Sequence, residues 1–179
     1  MIEIAKQNKW NVVLLSELRS ESCGVLYLGQ DEDLIVLIHS ERAGVMLRGH
    51  LVSDWLDQGL QKYQSERCVS VRVNSVVYTA TYQPVYYHDN QEEIEIAKRQ
   101  LKNHVEWSKS HEIAVIGGDF NAHIGGNEDI DGVNGRFGLR DSNNQGLELL
   151  QFCQENNLSY CNSFYNTIGY LISCLLARR

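Results

Sequence analysis

The sequence predicts one α/β domain, with β-hairpins in its first half and alternating strand and helix in its second. Three observations predict it. Short β-branched runs separated by turn residues fill Cys23 to Arg48, two adjoining β-rich runs fill Cys68 to Tyr82, and amphipathic helical stretches flank the apolar run Ile113–Ile116. At 179 residues, 43% of them apolar and 22% charged, the chain is long enough to bury a substantial core.

Taken in order, Ile2 to Lys9 carries helical spacing at Ile2 and Ala5 and leads into Asn11-Val12-Val13-Leu14-Leu15, a buried-strand pattern. Gly24–Leu28, Leu34–His39 and Ala43–Leu47 follow, divided by Gly29-Gln30-Asp31-Glu32-Asp33 and Ser40-Glu41-Arg42, which is antiparallel punctuation. Cys68–Val73 alternates valines with polar side chains, and Val76–Tyr82 repeats the β-rich pattern after Asn74-Ser75, so the two predict a hairpin. Pro84 closes that segment. Asn90 with Glu93 makes a capping-box pattern for a helix whose Ile94, Ala97, Leu101 and Val105 share one apolar face. Ile113–Ile116 is the next strand, and Gly125 to Gly138 reads as a glycine- and acid-rich loop. Ser142 or Asn143 caps a helix that buries Leu149, Leu150 and Cys153, and Leu158–Cys161 reads as a final strand.

A formal charge of -7 excludes the broad basic face that drives tight nonspecific nucleic-acid binding. Five cysteines, at 23, 68, 153, 161 and 174, form no C-x-x-C pair and are odd in number, so reduced thiols in an intracellular compartment, nuclear or cytoplasmic, are expected. The opening Met1-Ile2-Glu3-Ile4-Ala5-Lys6 lacks the pattern of a signal peptide, and no apolar run is long enough to span a bilayer. No membrane association is therefore expected.

The chemistry concentrates where Ile113-Ala114-Val115-Ile116-Gly117-Gly118 runs into Asp119-Phe120-Asn121. In an extended chain Asp119 and Asn121 project to one side and Phe120 to the other. Carboxylate and amide oxygens are hard ligands suited to Mg²⁺ or Mn²⁺, the amide N–H₂ can instead donate to a phosphate oxygen, and the paired glycines leave room for close approach. On spacing alone, a turn or helix cap formed by Asp-x-Asn is an equal reading.

The string Ile113 to Gly125 resembles the strand and metal-site loop of the endonuclease/exonuclease/phosphatase superfamily. It is most similar to the endonuclease domains of RTE-like non-LTR retrotransposons. The likeness continues through Gly138-Leu139-Arg140-Asp141-Ser142-Asn143-Asn144-Gln145-Gly146 and Leu149-Leu150-Gln151-Phe152-Cys153, is loose from Gly49 to Ser65, and covers about three quarters of the chain. Val12-Val13-Leu14-Leu15-Ser16-Glu17 resembles the strand ending in the family's metal-ligating glutamate, which makes Glu17 the candidate Mg²⁺ ligand beside Asp119. Val77-Tyr78-Thr79-Ala80-Thr81-Tyr82-Gln83-Pro84 resembles the segment that carries an active-site tyrosine, which makes Tyr82 the candidate phosphate contact. Taken without the resemblance, Glu17 is a solvated loop residue and Tyr82 a half-buried aromatic at a sheet edge.

The resemblance implies a DNase I-like four-layer α/β/β/α fold, a two-sheet β-sandwich flanked by helices, with Glu17, Tyr82, Asp119 and Asn121 meeting at one end. It implies Mg²⁺- or Mn²⁺-dependent endonucleolytic nicking of DNA, with a reverse-transcriptase module accompanying the domain in full-length relatives. Residues 1–165 would form this domain, incomplete because the family's first strand and its last, carrying an Asp-His motif, find no match; residues 166–179 would be a non-family tail. His123 is the histidine inside the matched string, where relatives often have lysine, so it is not expected to replace the missing one. Ile168–Ala177 suits a substitute edge strand, a helix or a frayed read-through segment. Two other functions share the same residues: a catalytically inactive fragment or binding module, and a phosphatase of a small phosphorylated substrate.

Overall fold

A computed structural model of the chain describes residues 2–29, 34–109, 113–126, 130–138, 141–165 and 173–177. Its elements are α1 (Ile2–Gln7), β1 (Val12–Ser16), β2 (Gly24–Leu28), β3 (Ile35–His39), β4 (Ala43–Arg48), α2 (His50–Asp57), β5 (Lys62–Gln64), β6 (Cys68–Val73), β7 (Val76–Tyr82), α3 (Gln91–Ser108), β8 (Ile113–Asp119), α4 (Asn144–Glu155), β9 (Leu158–Tyr160) and β10 (Ser173–Ala177).

Two sheets result: four strands in the order β1-β4-β3-β2, and six in the order β5-β6-β7-β8-β10-β9. The alternation along β4 shows why they stack. Ala43, Val45 and Leu47 join Val36, Ile38, Val69, Val71, Val73 and Ala80 in the layer between the sheets, closed at one end by Val52 and Trp55 of α2. Ile35 and Met46 point the other way and bury Ala5 of α1. On the opposite face of the six-stranded sheet, Ile116 and Cys68 meet Leu101 and Val105 of α3 and Leu149, Leu150 and Cys153 of α4. The architecture is therefore helix, sheet, sheet, helices, as the resemblance implies.

The β6–β7 hairpin has the expected two-residue turn, with Val73 opposite Val76 and Asn74 at a φ of 56°. Asn143, rather than Ser142, caps α4: its Oδ1 accepts from Gly146 N at 2.8 Å, and it also accepts from His123 N at 3.0 Å. At Asn90 the capping box does not form. Asn90 precedes α3, but its Oδ1 accepts from Tyr87 N and its amide donates to Val85 O, so it organises the incoming loop instead. Glu93 pairs with Arg67 through one oxygen and accepts from Asn90 Nδ2 at 3.4 Å through the other, while the Asn90 backbone N–H donates to Tyr87 O.

Two elements lie outside the sequence reading. Helix α2 is amphipathic and buries Val52 and Trp55, but at eight residues it is too short to stand out as a helix in the sequence. The polar edge strand β5, Lys-Tyr-Gln, pairs with β6 without any apolar alternation. The region 166–179 contains β10, which runs antiparallel between β8 and β9 with Leu175 opposite both Ile116 and Tyr160. Residues 166–172 and 178–179 of that region lie outside the described residues, as do His111, residues 127–129 of the glycine-rich loop, Leu139 and Arg140.

His104 sits on the buried face of α3 with no solvent exposure, its Nδ1 2.7 Å from Ser70 Oγ and its Nε2 3.0 Å from Ser65 Oγ. Burial pushes its pKa down to about 3. Between pH 6.5 and 3 the unfolded chain therefore binds a proton that native His104 does not, so its contribution is intact above about pH 6.5 and is lost as pH falls. At pH 5 the loss is about 2 kcal/mol. Urea midpoints at neutral pH and at pH 5 check this: the wild type should lose more stability than His104→Gln. Equal losses would remove His104 as the cause.

Candidate active site

Strands β7 and β8 run parallel, and their register places Tyr82 directly opposite Asp119 at their C-terminal ends. Gly118 makes this approach feasible. Its φ is 150°, and a Cβ there would lie 1.9 Å from Thr81 O. Beyond Asp119 the two chains stay joined, with Gln83 N donating to Asp119 O at 2.8 Å.

Asp119 and Asn121 come together by a route other than strand alternation. Strand β8 ends at Asp119, and Asn121 adopts a left-handed φ of 49°, which asparagine tolerates better than most residues. The turn closes when Asn121 N donates to Asp119 Oδ1 at 2.8 Å, while Asn121 Nδ2 donates to Gln83 O at 2.7 Å. Phe120 points into the core, 5% exposed. The turn therefore forms without using up these groups: one Asp119 oxygen closes it, and the Asn121 amide keeps a second N–H and its Oδ1 for other partners.

Glu17 follows β1 in the left-handed region, at a φ of 59°, where no glycine or asparagine relieves the cost. Its carboxylate is exposed and lies 3.8 Å from Arg19 Nη2. Such a solvated pair contributes little to stability and opens readily. A run of backbone hydrogen bonds places Glu17 at the same end of the sandwich as Asp119. Leu18 N donates to Arg42 O at 2.9 Å, Arg42 N to Glu66 O at 3.1 Å, Tyr82 N to Arg67 O at 3.0 Å, and Gln83 N to Asp119 O. β1 also packs across the sandwich against β7 and β8.

No cluster of three or more His, Cys, Asp or Glu side chains is found among the described residues. Mg²⁺ does not need one, because it is held by one or two carboxylates and completes its shell with water and substrate phosphate. The hard oxygens of Asp119 and Glu17 at one rim fit that donor chemistry. The exposed side chain of His123 lies beyond the turn, and its backbone docks the start of α4: a Cβ on Gly146 would lie 1.8 Å from His123 O. Sequence reasoning missed Arg67, which is 5% exposed, ion-paired to Glu93, and carries its guanidinium carbon 6.0 Å from the Tyr82 ring centroid. The motif Ser65-Glu66-Arg67 ahead of β6 gave no periodic signal, because the arginine's partners come from α3 and β7.

No family model matches the sequence. It is 28% identical to Craniofacial development protein 2 of Bos taurus over 158 residues, 84% of this chain and 24% of that protein. It is 26% identical to the Tragulus javanicus protein of the same name, over 84% of this chain and 25% of that protein. The chain spans about a quarter of the length of these curated relatives. Among solved structures, an AP endonuclease from Archaeoglobus fulgidus aligns at a TM-score of 0.49 and 14% identity, over 99% of this chain and 80% of its own. The 3'-5' exonuclease NExo from Neisseria meningitidis aligns at a TM-score of 0.51 and 12% identity, over 98% of this chain and 82% of its own, so the chain shares that exonuclease's fold.

Proposed function

We propose that this chain is a divalent-metal-dependent phosphodiesterase of non-LTR retrotransposon origin that nicks DNA. The observation that carries the reading is the pairing of Tyr82 with Asp119 in register at the ends of β7 and β8, with Asn121 turned back onto both strands. This gives a carboxylate, an amide and a phenol at one rim, a set suited to a phosphate diester and an attacking water.

In this reading the Asp119 oxygen not committed to the turn accepts a hydrogen bond from the attacking water and orients it in line with the scissile bond. The remaining Asn121 N–H donates to a nonbridging phosphate oxygen, and the Tyr82 hydroxyl steadies the same phosphate. Glu17 and Asp119 would hold Mg²⁺ or Mn²⁺, which when bound supplies charge neutralisation on the phosphate and the leaving oxygen. A reverse-transcriptase module would accompany the domain in a longer polypeptide of this origin.

The test is nicking of supercoiled plasmid by the folded chain in Mg²⁺ or Mn²⁺ against an EDTA control. Absence of nicks in both metals would remove the enzymatic reading. One observation favours a second reading, a DNA-binding module without turnover: among the described residues, no histidine hydrogen-bonds Asp119 or Asn121. Under that reading the folded chain binds DNA in both metals and leaves the plasmid uncut.

A further inference from the structure

A pocket of about 430 Å³ opens on the β6 side of Tyr82, away from Asp119, lined by Arg42, Arg67, Tyr82, Tyr87, Asp89 and Glu93 among others. Its charges are not equivalent. Arg67 is committed to Glu93 and to Glu66, 3.6 Å away, and Asp89 lies exposed to water at the mouth. Arg42 differs from all of these. Its backbone is fixed on both sides, its N–H to Glu66 and its carbonyl to Leu18, yet its buried Nε has no hydrogen-bond partner among the described residues.

A buried guanidinium N–H without an acceptor is costly, and an anion is what removes the cost. The pocket lies next to the proposed scissile-phosphate position, because Arg67 at the entry to β6, Tyr82 on β7 and Asp119 on β8 sit side by side on three neighbouring chains. Strands are spaced about 4.8 Å apart, so Arg67 and Asp119 are roughly 10 Å apart across the rim. We propose that Arg42, backed by Arg67 and Tyr82, binds the phosphodiester flanking the one that is cut. The chain's charge of -7 makes such a local cation consequential, since no broad basic field stands in for it. The inference rests on the nuclease reading and adds a contact outside the reacting atoms. It makes Arg42 a substrate-binding residue.

The test is the anisotropy of a short fluorescent DNA duplex with the full chain in EDTA, titrated over a range of salt, so that binding is read without cleavage. Arg42→Gln should weaken binding about tenfold and lower the slope of log affinity against log salt by about 0.9. Arg42→Lys keeps the charge and loses the Nε donor, so it should hold the slope and lose part of the affinity. Arg72→Gln, at the far end of β6, should match the wild type. If Arg42→Gln matches the wild type in affinity and slope, or Arg42→Lys matches it in affinity, the flanking-phosphate site is overturned while plasmid nicking still stands for the nuclease reading. If the wild type binds no duplex in EDTA, the flanking-phosphate site falls, and plasmid nicking in metal still decides the nuclease reading. Inorganic phosphate that displaces the duplex equally from wild type and Arg42→Gln would also count against the site.

Discussion

Asp119→Ala is expected to lower metal-dependent nicking by at least about a thousandfold, the largest effect on activity of any single substitution in this chain. In the proposed reaction the carboxylate has two tasks that alanine cannot perform: Oδ1 accepts from Asn121 N and closes the turn, and the other oxygen orients the attacking water. Asp119→Asn separates them. Its amide oxygen can still close the turn, so the fold and the Asn121 position should persist, while the negative charge that attracts a divalent cation is gone. Nicking should fall nearly as far in Asp119→Asn as in Asp119→Ala, with the urea midpoint of the former staying close to wild type. Wild-type nicking rates in both variants would show that Asp119 takes no part in the chemistry.

Gly118→Ala should be the most destabilising small substitution in the second sheet, with a loss of more than about 3 kcal/mol. The added methyl would stand 1.9 Å from a backbone carbonyl of the partner strand, at Thr81, and a main-chain atom inside a ladder cannot swing aside as a flexible side chain would. Gly59→Ala is the comparison. Its φ of 83° is also unfavourable for alanine, but nothing lies within 4 Å of the added methyl, so it should cost only about 1 kcal/mol. Urea unfolding of the three proteins checks the order, and equal midpoints for Gly118→Ala and wild type would show that β7 and β8 are not held this close. Because Thr81 and Gly118 lie one residue before Tyr82 and Asp119, any separation of the strands there would also pull the site apart.

Local pattern made most of this fold legible. The valine alternation of β6, the two-residue turn at Asn74-Ser75 and the Ile94, Ala97, Leu101, Val105 stripe each follow from rules that act within a few residues, and each element stands where those rules put it. Asn90 shows where such rules stop: a capping pattern is present, but Arg67, from just ahead of β6, takes one oxygen of Glu93, and the Asn90 backbone N–H goes to Tyr87 O. In the candidate site, the spacing of Asp119 and Asn121 spoke equally for a turn and for a ligand pair, and only resemblance pointed to Glu17 and Tyr82, since neither carries a local signature. Arg42 and Arg67 were invisible for a different reason. A charged residue in a turn or just ahead of a strand reads as surface; α3 and β7 bury Arg67, and only tertiary packing buries the Nε of Arg42.

The backbone hydrogen bonds that run from Leu18 through Arg42, Glu66, Arg67 and Tyr82 to Asp119 cross from one sheet to the other at the Arg42–Glu66 step. The candidate site is therefore a seam. Glu17 arrives from one side of it and Tyr82, Asp119 and Asn121 from the other, so their spacing is set by how the two halves of the sandwich are docked. A substitution deep in the intersheet layer, at Val45 or Val71 for example, changes that docking without touching the rim. Core packing in this molecule thus acts as the jig that sets the working distance between its carboxylates.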